Sequence, residues 1–180
     1  MPQDLLFVGT SAADMLRSAN ISDNGLFRWW LKRQWEPADW NARPKKTVTW
    51  IMLNPSKADD RQDDPTIRRC IGFSKAWGYG GLCVVNLYPL RSTDPKTMLA
   101  HPARTGDERG NHELKRCSRE ASLVVCAWGG NAEAHRVSEV VRLLDGVKLH
   151  CLDLTQGGQP VHPLRQRADL QPMLYQPRAE

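Results

Sequence analysis

Four polar clusters, each following a short apolar run, hold most of the residues in this sequence able to do chemistry. The first is Asn54-Pro55-Ser56-Lys57-Ala58-Asp59-Asp60 and the second is Tyr88-Pro89-Leu90-Arg91-Ser92-Thr93. The third is Gly129-Gly130-Asn131, and the last, beyond Gly157-Gly158, is His162-Pro163-Leu164-Arg165-Gln166-Arg167. Imidazole changes charge near neutral pH, and guanidinium groups hold phosphates. The acids Asp59, Asp60, Asp63 and Asp64 offer a separate chemistry, because paired carboxylates bind Mg²⁺ while substrate phosphates complete its shell. Asp64 also precedes Pro65, where it has a competing task as a helix cap.

The elements that must position these groups are legible from periodicity. Thr47 to Leu53, Leu82 to Leu87, Leu123 to Trp128 and Val147 to Leu152 are short β-branched or apolar runs, which predicts strands buried on both faces. Helical spacing recurs between them in Pro65 to Trp77, Glu108 to Ala121 and Ala132 to Leu144. Asp64-Pro65 starts the first of these helices, while Gly78 and Gly146 follow two helix ends. Alternating β and α predicts a three-layer α/β/α fold around a central, mostly parallel four-stranded sheet. Ligands then bind outside the carboxyl ends of the strands, where all four polar clusters fall. Phe27 to Lys32 alternates, which favours an edge strand, although Phe27, Trp30, Leu31 and Gln34 also fit a helix; Glu36 to Lys46 reads as a connecting loop, and Gln176 to Glu180 reads as a tail.

Length and composition set the outer bounds. The chain has 180 residues, 41% of them hydrophobic and 25% charged, which predicts one domain over 1–180 with residues 1–46 peripheral. Twenty-five Lys and Arg against 20 Asp and Glu leave a net charge of +5, a balance that favours polyanionic partners. No run approaches the roughly 18 apolar residues of a membrane span, and the N-terminus lacks a secretory pattern, so the expectation is a cytoplasmic protein without membrane attachment. No obligate protein partner is evident. Cys70, Cys83, Cys117, Cys126 and Cys151 are odd in number and widely spaced, which argues against a disulfide framework, an iron-sulfur site or structural zinc. Each falls in a predicted strand or helix, where free cysteine packs as a small apolar residue.

Two resemblances add to this reading. Leu53-Asn54-Pro55-Ser56 and His162-Pro163-Leu164 resemble the two active-site motifs of the uracil-DNA glycosylase superfamily, particularly its mismatch-specific and thymine-glycosylase branch. Met52 to Tyr88, through Asp63-Asp64-Pro65-Thr66-Ile67-Arg68-Arg69 and Trp77-Gly78-Tyr79-Gly80-Gly81, resembles a bacterial and phage family of domains of unknown function. The glycosylase resemblance implies hydrolysis of an N-glycosidic bond in DNA by a metal-free and cofactor-free enzyme. In that chemistry the sugar becomes oxocarbenium-like and the departing base gathers negative charge. Asn54 is then expected to orient water and His162 to donate to the base. Tyr88 is expected to stack on an extruded base, with Ser56, Asp59, Asp60 and Asn86 around it. Leu164 is expected to fill the vacated stack, while Lys57, Arg91, Arg165 and Arg167 hold DNA phosphates.

The sequence departs from the glycosylase pattern at two positions, since Met52 and Ser56 stand where that motif carries glycine. The motif loops lack an evident lysine nucleophile, which predicts a monofunctional glycosylase, although Lys57 lies close enough in sequence to keep lyase chemistry open. The small and polar residues Ser56 to Asp60 leave room for a bulky polar substituent, which suggests hypermodified pyrimidines such as the glucosylated hydroxymethylcytosines of phage DNA and an anti-phage role. The alternatives are a Mg²⁺-dependent enzyme of nucleotide or nucleic-acid phosphates, built on the four acids, and a non-catalytic nucleic-acid-binding module.

Overall fold

The computed structural model describes residues 15–36 and 46–177. Most of the loop expected at Glu36 to Lys46, and the last three residues of the expected tail, lie outside the described residues. The elements run β1 (Leu16–Ile21), β2 (Arg28–Gln34), β3 (Thr47–Met52), α1 (Pro65–Ala76), β4 (Gly81–Asn86), α2 (Pro95–Ala100) and α3 (Glu108–Glu120), then β5 (Leu123–Cys126), α4 (Ala134–Leu143), β6 (Leu149–Cys151), a 3₁₀ turn (Pro163–Arg165) and β7 (Met173–Leu174).

Local chemistry explains where the helices start. The Asp64 carboxylate accepts from the Ile67 N–H at 2.9 Å, satisfying one orphan donor of α1, and Pro65 occupies the first helical position. Asp94 and Pro95 repeat the device on α2, and Asp107 caps α3. After α1 the chain reverses at Gly78, whose φ of 78° suits glycine.

The protein is a mixed α/β fold on one sheet of seven strands in the order β1-β2-β4-β3-β5-β6-β7. β3 pairs in parallel with β4 and with β5, and β5 pairs in parallel with β6. The outer pairings β1–β2, β2–β4 and β6–β7 are antiparallel. Side chains of the inner strands alternate between two cores. Ile51, Val85, Val124 and Cys126 pack with Leu114 of α3 and Val137 and Val140 of α4, whereas Trp50, Val84 and Val125 pack with Ile67, Cys70 and Phe73 of α1. The sheet therefore lies between α1 on one face and α3 with α4 on the other. All five cysteines are free and buried in these packed elements. Among the described residues no helix is long and apolar enough to cross a membrane.

Three expectations need correction. The sheet has seven strands rather than four, because β1, β2 and β7 extend it with antiparallel pairings. β2 is not an edge strand: it lies between β1 and β4, with Leu31 opposite Val84 and fully buried. Its alternation was visible, but a partner as polar as Leu16–Ile21 carries no hydrophobic signal. The short helix α2 follows the second polar cluster and was not expected.

β2 also buries two arginines, Arg28 and Arg33. Arg33 is fully paired: its Nε donates to Asp63 Oδ1 at 2.7 Å and its other nitrogens reach the carbonyls of Lys32, Asp59 and Gln62. Asp63 also accepts from Arg17 at 2.5 Å. Removing one partner of such a buried pair strands a charge, which typically costs about 3–5 kcal/mol. Asp63→Asn should therefore lower the free energy of unfolding by about 3 kcal/mol in urea titrations, and a change within experimental scatter would show that the pair does not anchor the fold.

Candidate functional site

The carboxyl ends of β3, β4 and β5 open on a cavity of about 320 Å³. Its wall includes Asn54 and Ser56 after β3, Asn86 at the end of β4, Ser92 and Thr93 beyond it, and Gly129 after β5. Arg28 of β2, Asp64 and Thr66 at the start of α1, and His162 complete it. Five segments distant in sequence thus meet at one sheet edge, as expected for an open α/β sheet.

Asn54 is half-buried and fixed by both hydrogens of its amide. Its Nδ2 donates to the Pro55 carbonyl at 3.0 Å and to the Ser92 carbonyl at 2.9 Å. The Ser92 N–H returns a bond to the Pro55 carbonyl at 2.9 Å, so the loops after β3 and β4 are stitched together. With its nitrogen committed, the side chain has Oδ1 left as a neutral acceptor, and no donor from the described residues occupies it.

His162 caps the 3₁₀ turn: its Nδ1 accepts from the Leu164 N–H at 3.3 Å. A ring nitrogen that accepts carries no proton, so the neutral ring carries its hydrogen on Nε2. Burial holds the imidazole below its ordinary value of 6.5, with the Asp64 carboxylate pulling weakly the other way. The loop is anchored from α1 by Arg69, whose Nε donates to the Pro163 carbonyl at 3.4 Å and whose Nη2 donates to that of Gln166. The Arg69 guanidinium itself lies over the Phe73 ring at 4.7 Å. From β5, Gly129 reaches the same loop by donating to the Pro160 carbonyl at 2.9 Å, and its φ of 77° lets the chain pass close to His162.

Other expected residues stand elsewhere. Tyr88 is not a stacking platform: it is fully buried in the core beneath α3 and α4, and its hydroxyl donates to Glu133 at 2.6 Å. Asp59 and Asp60 do not line the cavity. The Asp59 carboxylate accepts from the N–H groups of Arg61 and Gln62, both at 2.8 Å, which holds it below the ordinary carboxylate range, and Asp60 is exposed. With Asp63 paired to arginines and Asp64 capping α1, the four acids do not converge. Among the described residues no group of three or more His, Cys, Asp and Glu is arranged to hold a metal. Arg91 is half-buried and donates to the Gly25 carbonyl at 3.1 Å, Arg167 pairs with Asp169 at 2.6 Å, and Lys57 and Arg165 are exposed. Leu164 is 44% exposed, two residues beyond His162.

Sequence reasoning missed Arg28 and Thr66 as cavity residues, and it offered Asp64 only as a helix cap or a magnesium ligand. Asp64 and Thr66 were hidden behind their helix-start pattern. Arg28 looked like a polar residue of an alternating strand, but the β1–β2 register shifts between Asn20 and Ile21, opposite Trp30 and Arg28, and the Arg28 guanidinium reaches the Ala58 carbonyl at 2.8 Å.

Residues 28–164 match the model of a family described as "Protein of unknown function (DUF1643)". No curated protein and no solved structure matches the chain.

The protonation of His162 is directly measurable. A folded-state value below the unfolded one means that the unfolded chain binds more protons between the two, so the His162 contribution to stability falls as pH drops through that window. Nitrogen-15 NMR should show the Nε2–H tautomer at neutral pH and a titration midpoint below 6.5. An Nδ1–H tautomer or a midpoint above that value would contradict the geometry.

Proposed function

We propose that this chain, which belongs to the DUF1643 family, is a DNA glycosylase that hydrolyses the N-glycosidic bond of a modified pyrimidine and leaves an abasic site. One observation carries the reading: the Asn54 and His162 side chains, far apart in sequence, line the same cavity with a neutral acceptor and a neutral donor. The resemblance of their two motifs to those of the uracil-DNA glycosylase superfamily supports it. So do the parallel inner strands flanked by helices on both faces.

The chemistry asks for a placed water and a stabilised leaving group. A water bonded to Asn54 Oδ1 presents its oxygen to the sugar. As the bond from C1′ to the base nitrogen breaks, its electron pair leaves with the base and the water oxygen bonds to C1′. The water's surplus proton neutralises the departing base through solvent. His162 Nε2–H donates a hydrogen bond to the base and keeps its proton, a role suited to an imidazole that burial holds neutral. Ser56 and Asn86 face the base inside the cavity, and Tyr88, Asp59 and Asp60 take no part.

A base buried in a duplex reaches such a cavity only by leaving the stack. Leu164, exposed and two residues beyond His162, is the residue we assign to fill the gap, and we assign exposed Arg165 and Lys57 to the phosphates. The small Ser56 side chain and the polar wall favour a pyrimidine with a bulky polar substituent, such as glucosylated hydroxymethylcytosine in phage DNA. An anti-phage role follows from that substrate.

Incubation of DNAs bearing natural and phage-modified bases, followed by mass spectrometry of the supernatant, should detect a free modified pyrimidine and abasic sites in the DNA. Absence of base release from every such DNA would end this reading. Asn54→Ala and His162→Ala should each slow release on the order of 10²–10³-fold with DNA binding retained, and a wild-type rate in either folded variant would return that residue to a structural role. Lys57→Ala with Arg165→Ala should weaken DNA binding and flatten its salt dependence by about two counterions' worth, measured as affinity against salt concentration.

A further inference from the structure

The two arginines buried in β2 are treated differently by the fold. Arg33 has the Asp63 carboxylate at 2.7 Å, whereas Arg28 has no carboxylate within ion-pair distance among the described residues. Arg28 is only 2% exposed, yet it uses few of its five donors. One terminal nitrogen donates to the Ala58 carbonyl at 2.8 Å, the other approaches Asn86 Oδ1 at 3.5 Å, and Nε has no partner. Asn86 is 5% exposed, and its Nδ2 is also unpartnered. Both side chains line the cavity that holds Asn54 and His162.

An uncompensated buried cation with unmet donors is expensive, and natural folds retain few of them. Burial pushes the Arg28 guanidinium down to about 10, which still leaves it charged at neutral pH. Of the charged groups around it, Asp64 stabilises that charge, while Arg91 and Arg33 oppose it. Arg28 adds one short bond, to the Ala58 carbonyl, to a loop that Arg33 already holds at Asp59, Gln62 and Asp63, and one neutral acceptor does not offset the cost of a buried charge. What it lacks is an anion, and the cavity is where one can enter.

We infer that Arg28 and Asn86 form an anion-accepting floor that holds the acceptor edge of the pyrimidine as it departs with a negative charge. The inference rests on the glycosylase reading and deepens it. Heterolysis of the bond to C1′ sends its electron pair to the base nitrogen and onto the adjoining ring carbonyl. The charge that meets this anion comes from Arg28, since burial disfavours the charged form of His162. Arg28 keeps its proton throughout, and the base is reprotonated from solvent on release. Asn86 Nδ2 supplies a second donor to the same edge.

The test uses the whole chain and three free probes in mildly alkaline buffer: uracil, which is neutral there, 5-nitrouracil, which is ionised, and inorganic phosphate. By calorimetric titration the wild-type protein should bind 5-nitrouracil at least about tenfold more tightly than uracil. Arg28→Met should erase that preference. Asn86→Asp places a carboxylate beside Arg28, so it should erase the preference while raising the thermal unfolding temperature, which separates loss of the site from loss of the fold. Equal binding of the two bases, binding of neither, a preference that survives Arg28→Met, or displacement of the bases by phosphate would each overturn the inference. The two readings fail separately: the Arg28-dependent preference without base release from any DNA leaves the anion floor standing and removes the glycosylase, and base release without the preference does the reverse.

Discussion

The ion pair between Arg33 and Asp63 sets the position of nearly everything else at the site. Between β3 and α1 the chain makes an excursion of irregular backbone across the sheet edge, and such a segment needs partners for its polar groups. Arg33 supplies them from the neighbouring part of the sheet, gripping the Asp59 and Gln62 carbonyls and the Asp63 carboxylate at once. Because the guanidinium is planar and its donors are fixed in a fork, it sets the loop's orientation as well as its distance. The loop in turn delivers Asn54 and Ser56 at its start and Asp64, with the first turn of α1, at its end.

From there the order passes through α1. Trp50 of β3 stacks on Trp77 at 5.6 Å and donates to Ser74 Oγ at 3.0 Å, locking the helix onto the sheet. The same helix sends Arg69 out to the carbonyls of Pro163 and Gln166, and Trp77 donates to the Leu170 carbonyl at 2.9 Å. On the other flank Trp128 donates to Gln159 at 2.7 Å. The His162 loop is thereby held from two flanks, on its backbone by Arg69 of α1 and Trp77 at the end of that helix, and through the Gln159 side chain by Trp128, which suits a site that must be formed before a ligand arrives.

Electrostatically the cavity separates its tasks. Asn54 contributes an uncharged acceptor, burial favours a neutral His162, and Arg28 carries the full charge at the floor. Of the acids that looked like a metal site in one dimension, Asp59 accepts from backbone N–H groups, Asp63 pairs with arginines, Asp64 caps a helix and Asp60 is exposed. A carboxylate in contact with Arg28 would neutralise its charge, and the fold places Asp63 at Arg33 instead.

The inner strands, three of the helices, the Asp64-Pro65 helix start and the polar loops at one sheet edge were legible in the sequence, because each rests on local periodicity or on a cap within a few residues. Asn54 and His162 were legible as candidates because proline-fixed turns after predicted strands are local features too. Tyr88 was misjudged because an aromatic after a strand looks the same whether its ring faces the ligand or the core, and only the position of α3 and α4 decides that. β1, β7 and the interior place of β2 depend on strand pairing across the chain, which short polar strands do not announce. Arg28 is the clearest case. The residue type was plain from the start, but whether a strand arginine meets water, an aspartate or an empty cavity is decided by long-range packing, since the energy of a buried charge depends on its surroundings far more than on its neighbours in sequence.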